Sequence, residues 1–302
     1  MKRKLPNFLI VGAAKSGTSS LHNYLNQHPD VFMPTFTASG KKVKEPKFFI
    51  TSEIQRRVKY GIWDWNSYKN LFDGVTSEKA IGEASVFYLF YYKTAIKNIK
   101  KYLGDDIKII IMLRNPTERA ISAFTHVARG KQESLSFEDA LKNEKNRLSK
   151  DLNITPMIMY KEMGLYYKMV KSYLDNFDNV HIILYEDFKQ KTDLVVKDTL
   201  RFLNLSSDYI IDTSLKYNVG GKKWKNKYVK LFFMQDNILK KILRFIFSKK
   251  IRFKFRFFIE LIFKEPADEV NQVTRKKLDH YFQNDILKLE ELLNLDLKHW
   301  MK

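Results

Sequence analysis

The sequence predicts an α/β fold of three layers, in which helices flank a central parallel sheet. Short apolar segments alternate with amphipathic segments along the 302-residue chain, a pattern typical of a parallel sheet covered on both faces. A glycine-flanked loop at residues 12–20 follows the first apolar segment, and Arg114 follows the apolar segment at residues 108–113. No repeat or Gly/Ser-rich linker divides the chain, so we expect residues 1–302 to form a single domain.

Three of the four predicted strands lie in the first half of the chain. Phe8–Val11 is a short apolar run ended by a glycine, which fits a buried parallel strand. Leu21, Tyr24 and Leu25 are spaced for one face of a helix over residues 20–27. The other elements predicted here are a strand at 79–83, a helix at 91–103 closed by Gly104, and a strand at 108–113.

The second half of the chain is mainly helical in this interpretation. Pro116 is well placed to begin a helix directly after the third strand. The remaining predicted elements are a helix at 164–177, a strand at 180–185, and amphipathic helices at 192–203 and 275–293. Ligands of parallel sheets bind beyond the carboxyl ends of the strands. The segment Gly12–Ser20, Glu83 and Arg114 all lie at such ends, so we expect them to converge.

Composition limits the classes of function. The chain is 44% hydrophobic and carries a net charge of +20, which favours polyanionic or membrane-surface partners. It has no cysteine, which excludes disulfides and thiol catalysis and fits a cytoplasmic protein. No apolar run reaches the roughly 18 residues of a membrane span. We interpret the apolar run near the start as the first strand and not as a signal peptide.

Much of the positive charge is concentrated late in the chain. Fourteen basic and two acidic residues lie between Lys222 and Lys264, a net charge of +12. Bulky apolar residues are interspersed with them, and we expect a basic-apolar helical insertion around 226–264. One interpretation is a peripheral contact with anionic membrane, and the other is a helical lid with solvated lysines. No specific nucleic-acid partner is predicted.

The segment Gly12–Ser20, here called the anion loop, joins the first strand to the first helix. Backbone N–H groups at such a turn, the helix dipole and the hydroxyls of the loop attract an anion, and Lys15 adds a full charge. The fold is therefore expected to be P-loop-like. The alternative is a structural turn with a solvated lysine. Lys15 precedes Gly17 by two residues, whereas an ATP-binding Walker loop places its lysine directly after the second glycine.

The sequence offers no obvious metal partner for this loop. A Mg²⁺-dependent kinase needs an acidic residue at the end of a neighbouring strand, but the strand at 108–113 is followed by Arg114. Arginine suits direct bidentate contact with phosphate. The six histidines show no metal-ligand spacing. We therefore predict anion binding without a metal, and a Mg²⁺-dependent small-molecule kinase is the alternative enzyme.

Several ordered motifs resemble the sulfotransferases that use 3′-phosphoadenosine 5′-phosphosulfate (PAPS), and the resemblance is closest to the bacterial and heparan-sulfate branch. The motifs are GAAKSGTSSL, HPDVFMP, KEPKFF, LRNPTERAISAF, SFEDAL, GLYYKMVKSYLDNF, VHIILYEDF and the terminal YFQNDILKLEELLNLDLKHW. They span most of residues 8–300 in the family's order, and the match is weakest at about 229–264.

The resemblance implies which residues hold the donor. The 5′-phosphosulfate would be contacted by Lys15, Ser16, Gly17, Thr18, Ser19 and Ser20. Lys15 matches the family's catalytic lysine, whose charge stabilises the bridging oxygen as the sulfuryl group leaves. Arg114 and Ser122 match the residues that hold the 3′-phosphate. Gly221 and Lys222 fall where the family places its last cofactor-binding loop.

The acceptor side is implied by the KEPKFF segment (Lys44–Phe49). Glu45 matches the family's proposed catalytic base, and Lys47 stands where the family commonly has histidine. A surface ion pair is the alternative interpretation of these two residues. Glu83 matches a family segment whose lysine is replaced here by Ala84. We take Lys47 and Glu83 as candidate substrate contacts.

The combined interpretation is a PAPS-dependent sulfotransferase that acts by in-line displacement. The expected acceptor is a hydroxyl group, or less readily an amine, of a carbohydrate, glycolipid or other glycoconjugate. Besides the kinase, the alternative is a basic protein that binds membranes or polyanions. The expected location is the cytoplasm, with peripheral membrane contact.

Overall fold

The computed structural model describes residues 5–35, 43–129, 132–214, 222–225, 259, 262–266 and 270–301. Tertiary contacts divide the chain into two compact units, Met1–Asn218 with Asn271–Lys302 and Val219–Val270. The expectation that residues 1–302 form a single domain stays a prediction. Most of the expected insertion at 226–264 lies outside the described residues.

The first unit is built on a five-stranded sheet in which every strand pair is parallel. Strand β1 (Phe8–Gly12) lies at its centre, between β3 (Ala80–Ala84) and β4 (Lys108–Leu113). The edges are β2 (Val31–Phe32) beside β3, and β5 (Val180–Leu184) beside β4. The expected α/β class and parallel sheet are confirmed.

The three inner strands are apolar because both faces of the sheet are covered. Every residue of β1 and β3 is buried, and so is every residue of β4 except the first. Gly82 of β3 pairs with Phe8, whose ring would lie 2.2 Å from a Cβ atom at that glycine. This close approach explains why the position has no side chain.

Helices follow or precede each strand of the first unit. Those of the described residues are α1 (Thr18–Leu25), α2 (Thr51–Ile54), α3 (Trp65–Asn70), α4 (Tyr92–Leu103), α5 (Pro116–Arg129), α6 (Phe137–Lys150), α7 (Tyr166–Leu174), α8 (Tyr185–Gln190), α9 (Thr192–Phe202) and α10 (Gln272–Leu293). Local sequence sets several of their ends. Asp64 and Ser136 accept hydrogen bonds from the first turns of α3 and α6, and α4 ends at Gly104, which has φ 88°.

All four predicted strands are present, and so is every helix predicted within the described residues, with ends displaced by a few residues at most. The edge strand β2 was not predicted, since two residues are too short for a hydrophobic period. The described part of the second unit contains β6 (Lys222–Trp224) and β7 (Lys264–Pro266), which pair antiparallel. Among the helices that the structure describes, none has the length and apolar character to cross a membrane.

Candidate active site

The anion loop is held in a tight bend at the carboxyl end of β1. The backbone N–H of Ala13 donates to the carbonyl of Met112 (2.7 Å), which ties the start of the loop to β4. Lys15 and Gly17 have φ values of 74° and 91°, in the left-handed region that favours glycine. Helix α1 begins after Gly17 with no side-chain cap. The amides of its first turn therefore have no capping side chain that would compete with an anion.

Lys15 lies in a strongly cationic environment. The pKa of its ammonium group is lowered to about 8, first by burial and then by the positive charges of Arg129, Arg114, Arg119 and Lys44, in that order. The neighbouring cations repel the charged form of Lys15, so an anion that enters the site lowers the electrostatic free energy. This is the electrostatic signature of an anion site.

Arg114, directly after β4, connects the anion loop to α5 and α8. Its Nη1 donates to the carbonyl oxygen of Lys15 (3.2 Å), and its guanidinium lies over the ring of Tyr185, 4.7 Å from the ring centre. Nη2 lies 3.5 Å from the carboxylate of Glu118, which also pairs with Arg275 of α10. The structure therefore brings Arg114 to the loop, as expected.

Ser122 lies on α5, about two turns after Arg114, and is half-buried. The same helix carries three residues that the sequence analysis missed. Arg119, Ser122, His126 and Arg129 recur at helical spacing, so they share one face of α5. Arg119 is fully buried and donates to the carbonyl of Tyr160. The spacing of basic residues after Arg114 was the signal that could have revealed them.

His126 and Arg129 belong to the same electrostatic cluster as Lys15. His126 is partly exposed, and its pKa is lowered to about 4, first by partial burial and then by the charges of Lys15 and Arg129. The charge of Glu45 opposes this shift. The imidazole is therefore neutral at pH 7 and lies within electrostatic reach of both predicted catalytic residues.

The KEPKFF segment is tied directly to the anion loop. The ammonium of Lys44 donates to the hydroxyl of Ser19 (2.6 Å) and lies 3.4 Å from the carboxylate of Glu45. On the other side, Lys47 Nζ donates to the carbonyl of Glu45 (3.0 Å) and lies 3.7 Å from its carboxylate. Glu45 is thus flanked by two lysines beside the loop. The ion pair weighed as an alternative is present, but it lies at the site and only 22% of the Glu45 side chain is exposed.

Glu83 differs from the other candidates because it has no access to a substrate. It is fully buried at the carboxyl end of β3, where its oxygens accept hydrogen bonds from Tyr88 (2.8 Å), Ser85 (2.9 Å) and Tyr68 (3.5 Å). We expected a substrate contact. The carboxylate is instead enclosed by hydroxyl groups of the protein.

An aromatic cluster lies beneath the KEPKFF segment. The ring of Phe48 stacks on Tyr68 with centres 4.8 Å apart, and Tyr68 stacks on Trp65 at 5.6 Å. Tyr68 and Phe49 are completely buried. Phe48 is also buried, whereas Trp65 is half-buried. The buried rings belong to the core and fix the segment that carries Glu45.

The last donor-binding candidates cannot be placed at this site. Gly221 lies outside the described residues, and Lys222 belongs to β6 of the second unit. Within the ranges that the structure describes, no group of three His, Cys, Asp or Glu side chains could hold a metal ion. The described site therefore consists of the anion loop, Arg114, the charged face of α5 and the KEPKFF segment.

Comparison with known proteins places this geometry in context. The family profile described as a sulfotransferase domain matches residues 5–279. The chain is also similar to a solved sulfotransferase from Alicyclobacillus acidocaldarius. The two share 34% identity and superpose with a TM-score of 0.75, covering 99% of this chain and 100% of that one.

Curated relatives match over shorter stretches. Membrane-associated sulfotransferase kil1 of Dictyostelium discoideum is 29% identical over 120 residues, covering 40% of this chain and 22% of the relative. Heparan sulfate glucosamine 3-O-sulfotransferase 3B1 of Mus musculus is 28% identical over 175 residues, covering 58% of this chain and 39% of the relative. The match thus covers less than half the length of each of these relatives.

Proposed function

This chain belongs to the sulfotransferase family, and from that premise we propose that it moves the sulfuryl group of PAPS to a hydroxyl group of a carbohydrate or glycoconjugate. The observation that carries the proposal is the position of Lys15. Its ammonium lies among four other cations, and a hydrogen bond of 2.6 Å links Ser19 of the same loop to Lys44, the residue before Glu45. A binding site for an anionic donor and a candidate base therefore adjoin each other.

The residues present fit the two anionic ends of PAPS. Ser16 is completely buried and its hydroxyl has no hydrogen-bond partner among the described residues, which is costly unless a ligand supplies one. Ser16 and the other loop residues would hold the 5′-phosphosulfate. Arg114 and Ser122 would hold the 3′-phosphate, and Gly221 and Lys222 remain proposed contacts.

The transfer we propose is an in-line displacement. Glu45 accepts the proton of the acceptor hydroxyl, whose oxygen forms the new bond to sulfur. The bond between sulfur and the bridging phosphate oxygen breaks, and 3′-phosphoadenosine 5′-phosphate (PAP) leaves with the bonding electrons. Lys15 stabilises the charge that develops on that oxygen. With a pKa of about 8, Lys15 is about nine-tenths protonated at pH 7.

Two properties of the relatives enter the proposal by similarity. The name of one relative specifies heparan sulfate glucosamine as acceptor, which supports a carbohydrate acceptor here. The name of another specifies membrane association. With the basic composition of 222–264, this supports peripheral contact with anionic lipid. Sedimentation with phosphatidylserine vesicles at low salt tests the contact, and protein that stays in the supernatant argues against it.

A transfer assay tests the proposed reaction. Purified protein is incubated with PAPS labelled in its sulfuryl group and with panels of glycans and glycolipids, and products are detected by the mass of one added sulfuryl group. We expect transfer by the wild type and a loss of about 10²–10³ in rate for Lys15→Ala. Equal rates for the wild type and this variant would refute the role of Lys15. Phosphoryl transfer from Mg²⁺–ATP under the same conditions would favour the kinase alternative.

A further inference from the structure

A completely buried carboxyl group lies behind the proposed base and does not itself reach the site. Glu83 accepts hydrogen bonds from the hydroxyls of Tyr88 (2.8 Å) and Ser85 (2.9 Å), which lie just after β3. Tyr68 of α3 lies at 3.5 Å from the same carboxylate oxygen as Tyr88. Burying a carboxylate costs desolvation free energy, which its hydrogen bonds offset. A carboxylate kept in such a place therefore suggests that its hydrogen bonds have a role.

The two closest hydroxyls continue to the KEPKFF segment. The hydroxyl of Ser85 accepts a hydrogen bond from the backbone N–H of Lys47 (2.9 Å), and that of Tyr88 accepts from the N–H of Phe49 (3.4 Å). Each hydroxyl thus donates to the carboxylate and accepts from the segment. Glu83 reaches the segment that carries Glu45 through two separate relays.

The segment needs such support at Lys47. This residue has φ 61°, in the left-handed region that is strained for a residue other than glycine. Its own amide is the donor to Ser85, and its side chain donates to the carbonyl of Glu45 (3.0 Å). The conformation of Lys47 therefore controls where Glu45 lies relative to the anion loop.

We propose that Glu83 is a positioning residue that holds Glu45 and Lys47 in their working geometry through the hydroxyls of Ser85 and Tyr88. The proposal rests on the proposed function for its catalytic consequence, and on the hydrogen bonds alone for its structural part. Glu83 takes no part in the chemistry.

The relay depends on the charge of Glu83. The groups facing it are Tyr68 of α3, Ser85 and Tyr88 after β3, Tyr173 of α7, and the Glu45 and Lys47 side chains of the KEPKFF segment. Burial raises the pKa of Glu83 to about 7 despite the hydrogen bonds from Tyr88 and Ser85. A protonated carboxyl accepts fewer hydrogen bonds, so we expect the protection of the Lys47 amide against exchange to fall as the pH drops below about 7. This local effect is separate from the stability of the whole fold, which protonation of a buried carboxylate favours.

Amide hydrogen exchange tests the structural part without any need for a substrate. In Ser85→Ala the carboxyl group stays in place but the relay to Lys47 is cut. We expect the amide of Lys47 to exchange roughly tenfold faster, the equivalent of one lost hydrogen bond. Thr94→Val is the matched control, because it removes another hydroxyl-to-carboxylate bond, from Thr94 to Glu53 (2.7 Å). Unchanged exchange at Lys47 in a folded Ser85→Ala protein overturns the proposal.

Enzyme kinetics test the catalytic part. We expect Ser85→Ala and Glu83→Gln to lower kcat about tenfold or more, while the Kd for PAP changes less than twofold. In a Glu45→Gln background, Ser85→Ala should have no further effect on kcat. If Glu83→Gln fails to fold, Ser85→Ala still decides. An active wild type with unchanged kcat in Ser85→Ala overturns the positioning role. A wild type that binds no PAP overturns the proposed function instead, and the exchange result still decides whether Glu83 holds the segment.

Discussion

Replacing Glu83 by glutamine should change how stability depends on pH. Burial raises the pKa of this carboxyl from 4.5 to about 7, so the folded protein binds the proton more tightly than the unfolded chain does. The stability contributed by the protonated group is complete below about pH 4.5 and is lost as the pH rises through 7. Glutamine has no such proton, so Glu83→Gln should escape this loss.

The magnitude follows from the pKa difference. A shift from 4.5 to about 7 corresponds to roughly 3 kcal/mol, and about 2.5 kcal/mol of this falls between pH 5 and pH 8. Glu83 is fully buried, so water does not screen its carboxyl group and the whole of this free energy applies. Glutamine cannot reproduce all the hydrogen bonds of the carboxylate, and this loss shifts the free energy of unfolding of Glu83→Gln by a constant amount. The effect of the pKa is therefore measured as the change with pH in the difference in unfolding free energy between Glu83→Gln and the wild type.

Urea unfolding followed by tryptophan fluorescence at pH 5, 6, 7 and 8 measures this difference. The free energy of unfolding of Glu83→Gln, relative to the wild type, should rise by about 2.5 kcal/mol from pH 5 to pH 8. Glu291→Gln, which removes an exposed carboxylate, is the control and should show no such trend. A difference between Glu83→Gln and wild type that stays constant within about 0.5 kcal/mol would refute the reasoning.

Three further predictions concern the anion loop and its neighbours. Gly17→Ala should destabilise the protein by roughly 1–2 kcal/mol in thermal unfolding, because φ is 91° and the new Cβ would lie 3.1 Å from the ring of Tyr185; unaltered stability contradicts the loop geometry. The kcat/KM of the wild type should fall as the pH rises above about 8, where Lys15 loses its proton. Lys15→Arg should lack this decline, and the same decline in the wild type and in Lys15→Arg would assign it to another group. Arg114→Ala should weaken PAP about 10–100-fold by calorimetry, while Arg201→Ala, a variant of an exposed arginine on α9, should bind as the wild type does.

Four of the five strands of the parallel sheet and six of the ten described α-helices followed from the sequence because their signals are local, whereas α2, α3, α6 and α8 were not predicted. The apolar runs of β1 and β4 are buried on both faces, and such runs show in the sequence as unbroken apolar residues. Helix α4 ends at a glycine and α5 begins at a proline, as their positions in the sequence indicate. The edge strand β2 owes its existence to pairing with β3, which no local pattern records.

The candidate site could be predicted only in part. Arg114 and the anion loop were expected to converge because both follow parallel strands, and Arg114 does contact Lys15. Lys44 was missed because its partner Ser19 lies 25 residues away in sequence. The burial of Glu83 likewise depends on Tyr68 and Tyr88, which approach it from outside β3. Contacts that depend on how separate elements pack, such as those of Ser19 with Lys44 and of Tyr68 with Glu83, have no local signature.

The most direct test of the central claim is calorimetric titration of PAP into the protein in the presence of EDTA. The proposed site holds its donor with Lys15, Arg114 and backbone amides, so the wild type should bind PAP without a divalent cation and Lys15→Ala should bind it more weakly. The contrary result is a wild type that shows no heat of binding with PAP in EDTA but binds ATP when Mg²⁺ is added. That outcome would assign the anion loop to nucleoside triphosphates and contradict the proposed sulfuryl transfer.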